Sequence, residues 1–426
     1  MYVKSRFTYD FVYGIIISRG DFMDAKQIGN IISKLRKANG YTQAALAKKL
    51  NVSDKTVSKW ESGLGYPEIT QFPILASLFG VSIDYLMTGD RVGISVAGNM
   101  IVDAVKCIEE YPKIGMLAEV GEISYAVGGC ASNTSIDLSR IDRSLPVSAI
   151  GCVGDDENGR FLTSVIQKNG VNTAMVRVTD KAPTAFSDVI SQKNGERTFF
   201  SYRGANDHFM PEDINISLLK CRILHIGYIL LLKEFDKTDT EYGTAMGRLL
   251  CQVQKNGIKT SVDVVSSSNI EDYPEKIIPA LKYSDYVIIN EIECCNIWGI
   301  TPYKQSGELD VVAIRTAMEK TMAAGVREKV IVHCKSAGFC LSADGSFTKV
   351  GSLIIDKSLI KGSVGAGDAF CAGALYGIYN EYSDREMLEF ATAAAVCNLF
   401  EVNSVDGMRN KDEIKKIMNK YGRVEI

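Results

Sequence analysis

The stretch Gly362-Ser363-Val364-Gly365-Ala366-Gly367-Asp368-Ala369-Phe370 carries the residue types of a phosphoryl-transfer site. Its three glycines run into an apolar segment, residues 369–380, that reads as a helix. Backbone N–H groups at a helix N-terminus lack partners and favour anions, and glycine lets the chain approach a ligand closely. Gly365, Ala366 and Gly367 can therefore hold a transferring phosphoryl charge while Asp368 accepts the proton of an attacking hydroxyl. An Asp that merely caps a helix after a glycine turn would leave the same string. A P-loop is excluded, because no Gly-x-x-x-x-Gly-Lys-Ser/Thr sequence is present. Three further polar strings stand far from Asp368: Gly128-Gly129-Cys130-Ala131-Ser132-Asn133, Val153-Gly154-Asp155-Asp156-Glu157-Asn158-Gly159 and Asn290-Glu291-Ile292-Glu293. His208, His225 and His333 share no metal spacing and read as core or surface residues.

The elements that must position these residues follow from the periodicity. After Arg91, apolar β-rich runs at 93–97, 147–153, 222–228, 259–264, 286–290 and 329–334 alternate with helical segments. That alternation predicts an α/β domain with a mostly parallel sheet and helices on both faces, and the continuous apolarity of the runs predicts strands buried on both sides. Residues 122–127 and 185–202, the latter with an Asn194-Gly195 turn, are of mixed polarity and predict antiparallel strands of a small β lid.

The chain has 426 residues, enough for two to three domains at about 150 residues each. With 48 basic and 51 acidic side chains the net charge is −3, so any nucleic-acid contact must come from a local patch. No apolar run reaches the ~18 residues of a membrane span. The 11 cysteines include no Cys-x-x-Cys pair, which predicts reduced thiols in a cytoplasmic protein. In residues 1–22, Lys4 and Arg6 precede an apolar stretch, but no small-x-small cleavage site follows. This segment is expected to be a disordered or mis-assigned leader, with Met23 a candidate start.

Residues 24–90 read as a separate all-helical domain. Ile28, Ile31, Ile32 and Leu35 form one helix face, ended by Asn39-Gly40. Thr42 caps a second helix with Ala44, Leu46, Ala47 and Leu50 inward, and Ser53 caps a third, 54–61, with Val57 and Trp60 inward. Two short helices are expected near 69–79 and 83–87. Helix, short turn, helix is the geometry that sets a second helix in the DNA major groove. On the third helix Lys55, Thr56, Ser58 and Lys59, with Gln43 on the second, offer donors and phosphate partners; a generic small bundle is the competing reading. Eight Lys or Arg against six Asp or Glu is a modest patch, so a dimer on a two-fold operator is expected.

Two family resemblances extend these readings. Tyr41-Thr42-Gln43, Leu46-Ala47, Val52-Ser53, Val57-Ser58-Lys59-Trp60-Glu61-Ser62-Gly63 and Val81-Ser82-Ile83-Asp84-Tyr85-Leu86 resemble the Cro/repressor-like (XRE) helix-turn-helix family. That resemblance implies a five-helix DNA-binding domain. Over residues 93–426, the Gly-Ala-Gly-Asp string and the three polar strings, in this order, resemble the ribokinase-like (PfkB) carbohydrate and nucleoside kinases. The resemblance implies Asp368 as base and Gly365, Ala366 and Gly367 as anion hole; ATP and Mg²⁺ as cofactors; and a sugar or nucleoside substrate. It implies that Asp103, Gly128, Gly129 and Asn133 bind substrate, and that Asn290 and Glu293 organise Mg²⁺ through water beside the nucleotide. Asn398 walls the adenine pocket by the same analogy, and a homodimer through the lid is implied. Arg203 reaches the substrate from the lid or forms a surface ion pair.

Three positions depart from the family pattern. Gly362 and Ser363 replace the Asp and Thr of Asp-Thr-x-Gly-Ala-Gly-Asp, which leaves a monovalent cation without its expected carboxylate. Within 332–338, Lys335 replaces the first Gly of Thr-x-Gly-x-x-Gly while Gly338 is kept, so Lys335 is expected beside the nucleotide. Ile101 stands where an Asn often precedes the substrate Asp. Two functions follow: a sugar kinase fused to a DNA-binding head as a sugar-responsive regulator, or a regulator whose kinase fold only senses ligand.

Overall fold

The computed structural model describes residues 25–79, 81, 83–192, 197–266 and 273–426. The leader at 1–22, Ser82 and the Asn194-Gly195 turn lie outside the described residues. The chain divides after Asp90 into two compact units.

Among the described residues the first unit has five helices: α1 (Ala25–Ala38), α2 (Gln43–Leu50), α3 (Asp54–Glu61), α4 (Gln71–Phe79) and α5 (Ile83–Thr88). Thr42 Oγ1 accepts from Ala45 N and Ser53 Oγ from Thr56 N, each at 3.1 Å, so both expected caps form. Ile28, Ile32, Leu35, Leu46, Leu50, Val57, Trp60, Leu75 and Leu86 make one small core. Ala44, expected inward, is exposed. The α2 turn instead presents Leu46, Ala47 and Leu50 to that core, and Ala44 falls on the opposite side of the helix. Gly29 lets α1 lie on α3, because a Cβ there would meet the Trp60 carbonyl oxygen at 1.9 Å. Arg36 forks onto Glu61 at 2.5 and 2.9 Å, and the pair fastens α1 to the end of α3.

Among its described residues the second unit has fifteen strands: β1 (Ile94–Ala97), β2 (Ile101–Ile108), β3 (Val120–Gly128), β4 (Val147–Gly154), β5 (Asn172–Thr179), β6 (Phe186–Gln192), β7 (Arg197–Tyr202), β8 (Ile223–Ile229), β9 (Thr238–Asp239), β10 (Gly243–Thr244), β11 (Lys259–Val264), β12 (Tyr286–Asn290), β13 (Lys329–His333), β14 (Ala337–Ser342) and β15 (Phe347–Gly351). Its helices are α6 (Cys130–Ile141), α7 (Glu157–Lys168), α8 (Ala245–Lys255), α9 (Tyr273–Leu281), α10 (Glu291–Asn296), α11 (Val311–Ala323), α12 (Ala366–Tyr379), α13 (Asp384–Asn398) and α14 (Lys411–Lys420). Nine strands form the main sheet in the order β15-β14-β13-β12-β11-β8-β1-β4-β5. β13 through β5 pair in parallel, while β14 and β15 close one edge antiparallel. Two apolar cores lie on opposite faces, one built with α6, α7, α12, α13 and α14 and the other with α8 to α11. Among the described residues no helix is long and apolar enough to cross a membrane, and all 11 cysteines are unpaired.

The lid is a second sheet of four strands, β3-β2-β6-β7. Its β2 was not among the strands expected from the sequence, and it is the strand that carries Asp103. Lys106 and the tail of the run gave 101–108 too mixed a pattern to separate from a loop after β1. The lid is not wholly antiparallel, since β2 pairs with β6 in parallel; the long excursion through α6, β4, α7 and β5 returns the chain in the same direction. One side of the lid exposes Ile123, Tyr125, Phe200 and Tyr202, which the register sets on a common face, while Phe199 is exposed on the side that carries Asp103.

Candidate active site

Asp368 sits in the first turn of α12 and is 6% exposed. Gly365 caps that helix at φ 80°, a conformation glycine adopts without strain, and a Cβ there would meet Ser404 Cα at 2.7 Å. The N–H groups of Ala366, Gly367 and Asp368 precede the first intrahelical bond, which runs from Ala369 N to Gly365 O at 2.8 Å. Ala366 N also reaches Ser363 O at 3.3 Å, while Gly367 stands open to solvent. The Asp368 carboxylate accepts from Asn133 Nδ2 at 2.8 Å and from the Tyr228 hydroxyl at 3.1 Å. Burial pushes its pKa up, and these two donors pull the other way.

Asp103 faces the same space from the lid. Its pKa is pushed up to about 6, first by burial and then by the Asp368 charge. Gly128, at the end of β3, makes room for it: a Cβ there would lie 2.4 Å from Asp103 Oδ2. Gly129 is the left-handed cap of α6, where a Cβ would strike the Asn99 carbonyl oxygen at 2.3 Å. The Gly-Gly pair thus turns the chain from lid to body beside the Asp103 carboxylate. Asn133 is buried and commits its amide to the protein, donating to Asp368 and accepting from Ser404 Oγ at 3.0 Å. It holds the Asp368 carboxylate in place.

Asn290 and Glu293 form a reciprocal capping box on α10: Asn290 Oδ1 accepts from Glu293 N at 2.8 Å, and Glu293 Oε2 from Asn290 N at 2.9 Å. Ser266 donates to the other Glu293 oxygen at 2.8 Å. Burial raises the Glu293 pKa to about 7, and Asp263, at the end of β11, is raised further by burial and by the Glu293 and Asp368 charges. Carboxylates that crowd one another in this way suit a divalent cation nearby.

Lys335 is exposed in the turn between β13 and β14. Gly338 lies inside β14, and a Cβ there would meet Phe370 and Leu388 at 3.2 Å, so helix packing by itself accounts for the glycine. Asn398, fully buried at the end of α13, donates to Val364 O at 2.7 Å and thereby ties down the loop that presents Gly365. Gly362 brings no side chain to this loop, and a Cβ there would sit 3.1 Å from the carbonyl oxygens of Glu401 and Val402.

Arg203 pairs with Asp207 at 2.9 Å and donates to Leu231 O at 2.7 Å, which is the ion-pair arrangement. Asp156 caps α7 through Gly159 N at 2.8 Å and accepts from Thr184 N at 2.7 Å, stapling β4 to the chain entering the lid. His225 is a core residue between Ser261 Oγ at 3.0 Å and Cys371 Sγ at 3.5 Å. His333 packs on Phe370 beside Gly367, closer to the site than a core reading implies. In the first unit, Lys55, Ser58 and Lys59 are exposed along α3. Thr56 is half-buried with its hydroxyl 2.8 Å from Ser53 Oγ, and Gln43 donates to Glu61 at 2.9 Å.

Sequence reasoning missed Tyr228, Ser404, Asp263 and Ser266. Tyr228 and Asp263 were findable, because both end parallel strands and ligands bind at the carboxyl ends of such strands. No local signal marks Ser404 or Ser266.

Residues 93–410 match the family model described as pfkB family carbohydrate kinase, and residues 32–86 match a helix-turn-helix model. The chain is 25% identical over 336 residues to probable fructokinase-7 of Arabidopsis thaliana, covering 76% of this chain and 91% of that protein. It is 26% identical over 317 residues to fructokinase-2 of Oryza sativa subsp. japonica, covering 70% and 86%. Among solved structures, Arabidopsis thaliana ribokinase complexed with ribose and ATP is similar in fold at TM-score 0.64 and 21% identity, covering 78% of this chain and 100% of that one. Ribokinase of Thermotoga maritima gives TM-score 0.63 at 18% identity, covering 77% and 100%. Downstream of its helix-turn-helix unit, the chain belongs to the pfkB family of carbohydrate kinases.

Proposed function

We propose that the second unit transfers the γ-phosphoryl group of ATP to a hydroxyl of a small sugar or sugar-like alcohol held between Asp103 and Asp368, and that the first unit binds an operator, making the protein a sugar-responsive transcription regulator. The observation that carries the kinase reading is Asp368 at the N-terminus of α12, with N–H groups beside it that precede the first intrahelical bond and Asp103 opposite. Asp103 accepts two sugar hydroxyls. Asp368 takes the proton of the attacking hydroxyl, and the Ala366, Gly367 and Asp368 N–H groups face the charge on the transferring phosphoryl. The relatives named fructokinase and the neighbour solved with ribose and ATP support a sugar and ATP as the reactants.

Mg²⁺, when bound, supplies charge that neutralises the polyphosphate. Among the described residues no three His, Cys, Asp or Glu side chains close on one point, so Asn290 and Glu293 would hold the ion through water beside the nucleotide. The exposed apolar side of the lid, Ile123, Tyr125, Phe200 and Tyr202, supports a homodimer, which suits a two-fold operator.

A second reading, a regulator that binds sugar without turning it over, is favoured by Gly362, which brings no carboxylate to the position where the family carries its cation ligand. The test is ATP consumption with Mg²⁺ across hexoses, ketoses, sugar acids, sugar phosphates and nucleosides, with Asp368→Asn as control. Sugar-dependent turnover lost in the variant supports the kinase. A sugar that raises the melting temperature without turnover would falsify it in favour of the sensor.

A further inference from the structure

Two non-glycine residues at the end of β8 lie in the left-handed region, Tyr228 at φ 64° and Leu230 at φ 84°. Side chains adopt this conformation only where the surroundings over-determine it, and such positions gather at functional sites. Gly227 precedes them with its Cα against Cys130; a Cβ there would lie 2.6 Å from Sγ. The turn aims the Tyr228 hydroxyl at Asp368, 3.1 Å from Oδ1 and 3.4 Å from Oδ2.

We propose that Tyr228 is a positioning residue for the base: its hydroxyl, held against Asp368 by this strained turn, keeps that carboxylate ionised. The proposal rests on the reading of Asp368 as the base.

The surroundings of Asp368 explain the need. Asp103 on β2, Cys130 and Asp137 on α6, Asp263 on β11 and Cys371 on α12 all feel its charge, and each is an acid. His333, beside Gly367 from β13, has its pKa lowered by burial to about 4 and is neutral. None of these groups brings a positive charge. Hydrogen bonding is what opposes burial, and Asn133 and Tyr228 supply it. Asn133 takes Oδ2 and Tyr228 bridges toward Oδ1, leaving lone pairs for the incoming hydroxyl. The phenol stays a donor, because burial and the Asp368 charge hold its own pKa well above the usual range.

The experiment compares Tyr228→Phe and Tyr228→Met with the unmodified protein, reading kcat/KM against pH with the sugar that supports turnover. Both variants lack the hydroxyl and differ in shape. The acid limb is expected to move up by about one pH unit, a tenfold loss below the limb, with activity within about threefold on the alkaline plateau. An equal loss at every pH, or an unmoved limb, overturns the proposal. The infrared carboxyl band that vanishes in Asp368→Asn gives a second reading without turnover, and it should titrate at higher pH in Tyr228→Phe. If that band shifts in a protein with no kinase activity, the positioning role stands and the kinase reading fails. If activity is present and neither the band nor the limb moves, the kinase reading stands and the positioning role fails.

Discussion

Oδ2 of Asp368 accepts from Nδ2 of Asn133 across 2.8 Å, and Asn133 is fixed in turn by the Ser404 hydroxyl, which also lies 2.9 Å from Val127 O. Asp368 is therefore anchored from α6, from the loop after α13 and from the end of β3. Asp368→Asn keeps the shape and one acceptor oxygen for these donors but removes the proton acceptor. Turnover should fall by about 10³-fold or more, while the sugar dissociation constant from calorimetry stays within about threefold. Survival of turnover would remove Asp368 from the role of base.

Gly128 and Asp103 give a prediction about binding instead of chemistry. A methyl group at 128 would press on Asp103 Oδ2 at 2.4 Å, and the Asp103 side chain must rotate away. Gly128→Ala should raise KM for the sugar by about tenfold, worth ~1.4 kcal/mol, and change kcat much less. A parallel fall in kcat with KM unchanged would mean that Gly128 serves the base and not the sugar carboxylate.

Asp103 also makes stability depend on pH. Its folded pKa of about 6 lies above the ordinary carboxylate value of 3.8. The folded state holds its proton more tightly than the unfolded chain, so this group favours folding below about pH 4, loses that advantage as pH rises to about 6, and disfavours folding at a constant level above it. Asp103→Asn should therefore match the unmodified protein in melting temperature near pH 4 and be more stable at pH 7, by an order of 1–2 kcal/mol after screening. A stability difference that does not change between those pH values would show that the carboxyl is not strained by its surroundings.

What the sequence disclosed divides along physical lines. The buried strands β11 and β12 fall on the residues that their apolar runs predicted, and both helix caps of the head form, because these signals are local. Gly128, Gly129 and Asp368 stand where a turn and a helix N-terminus place them. The lid strand β2 and the residue Ser404 were hidden, since a strand of mixed polarity and a contact 271 residues away leave no periodic trace. Asn133 and Gln43 were legible as polar and functional, yet each spends its amide on a neighbouring carboxylate, Asp368 and Glu61. Only the folded chain decides whether such a side chain faces a ligand or a partner.

The same distinction sharpens the DNA reading of the head. With Gln43 held by Glu61 and Thr56 beside Ser53, Lys55, Ser58 and Lys59 are the residues of the expected DNA-facing set that stay exposed on α3. Lys55 and Lys59 are one turn apart and face the same way, as phosphate partners on one helix flank must. Each phosphate neutralised adds about 0.9 to the slope of log K against log salt. The Lys55→Ala, Lys59→Ala double variant of the full chain should bind duplex DNA more weakly with a slope smaller by about 2. Its sugar turnover should be unchanged, because neither residue lies in the kinase unit. Equal slopes for the variant and the unmodified protein would assign the DNA-facing surface to an element other than α3, and the weaker lysine pair on α2, Lys48 and Lys49, would be the next to replace.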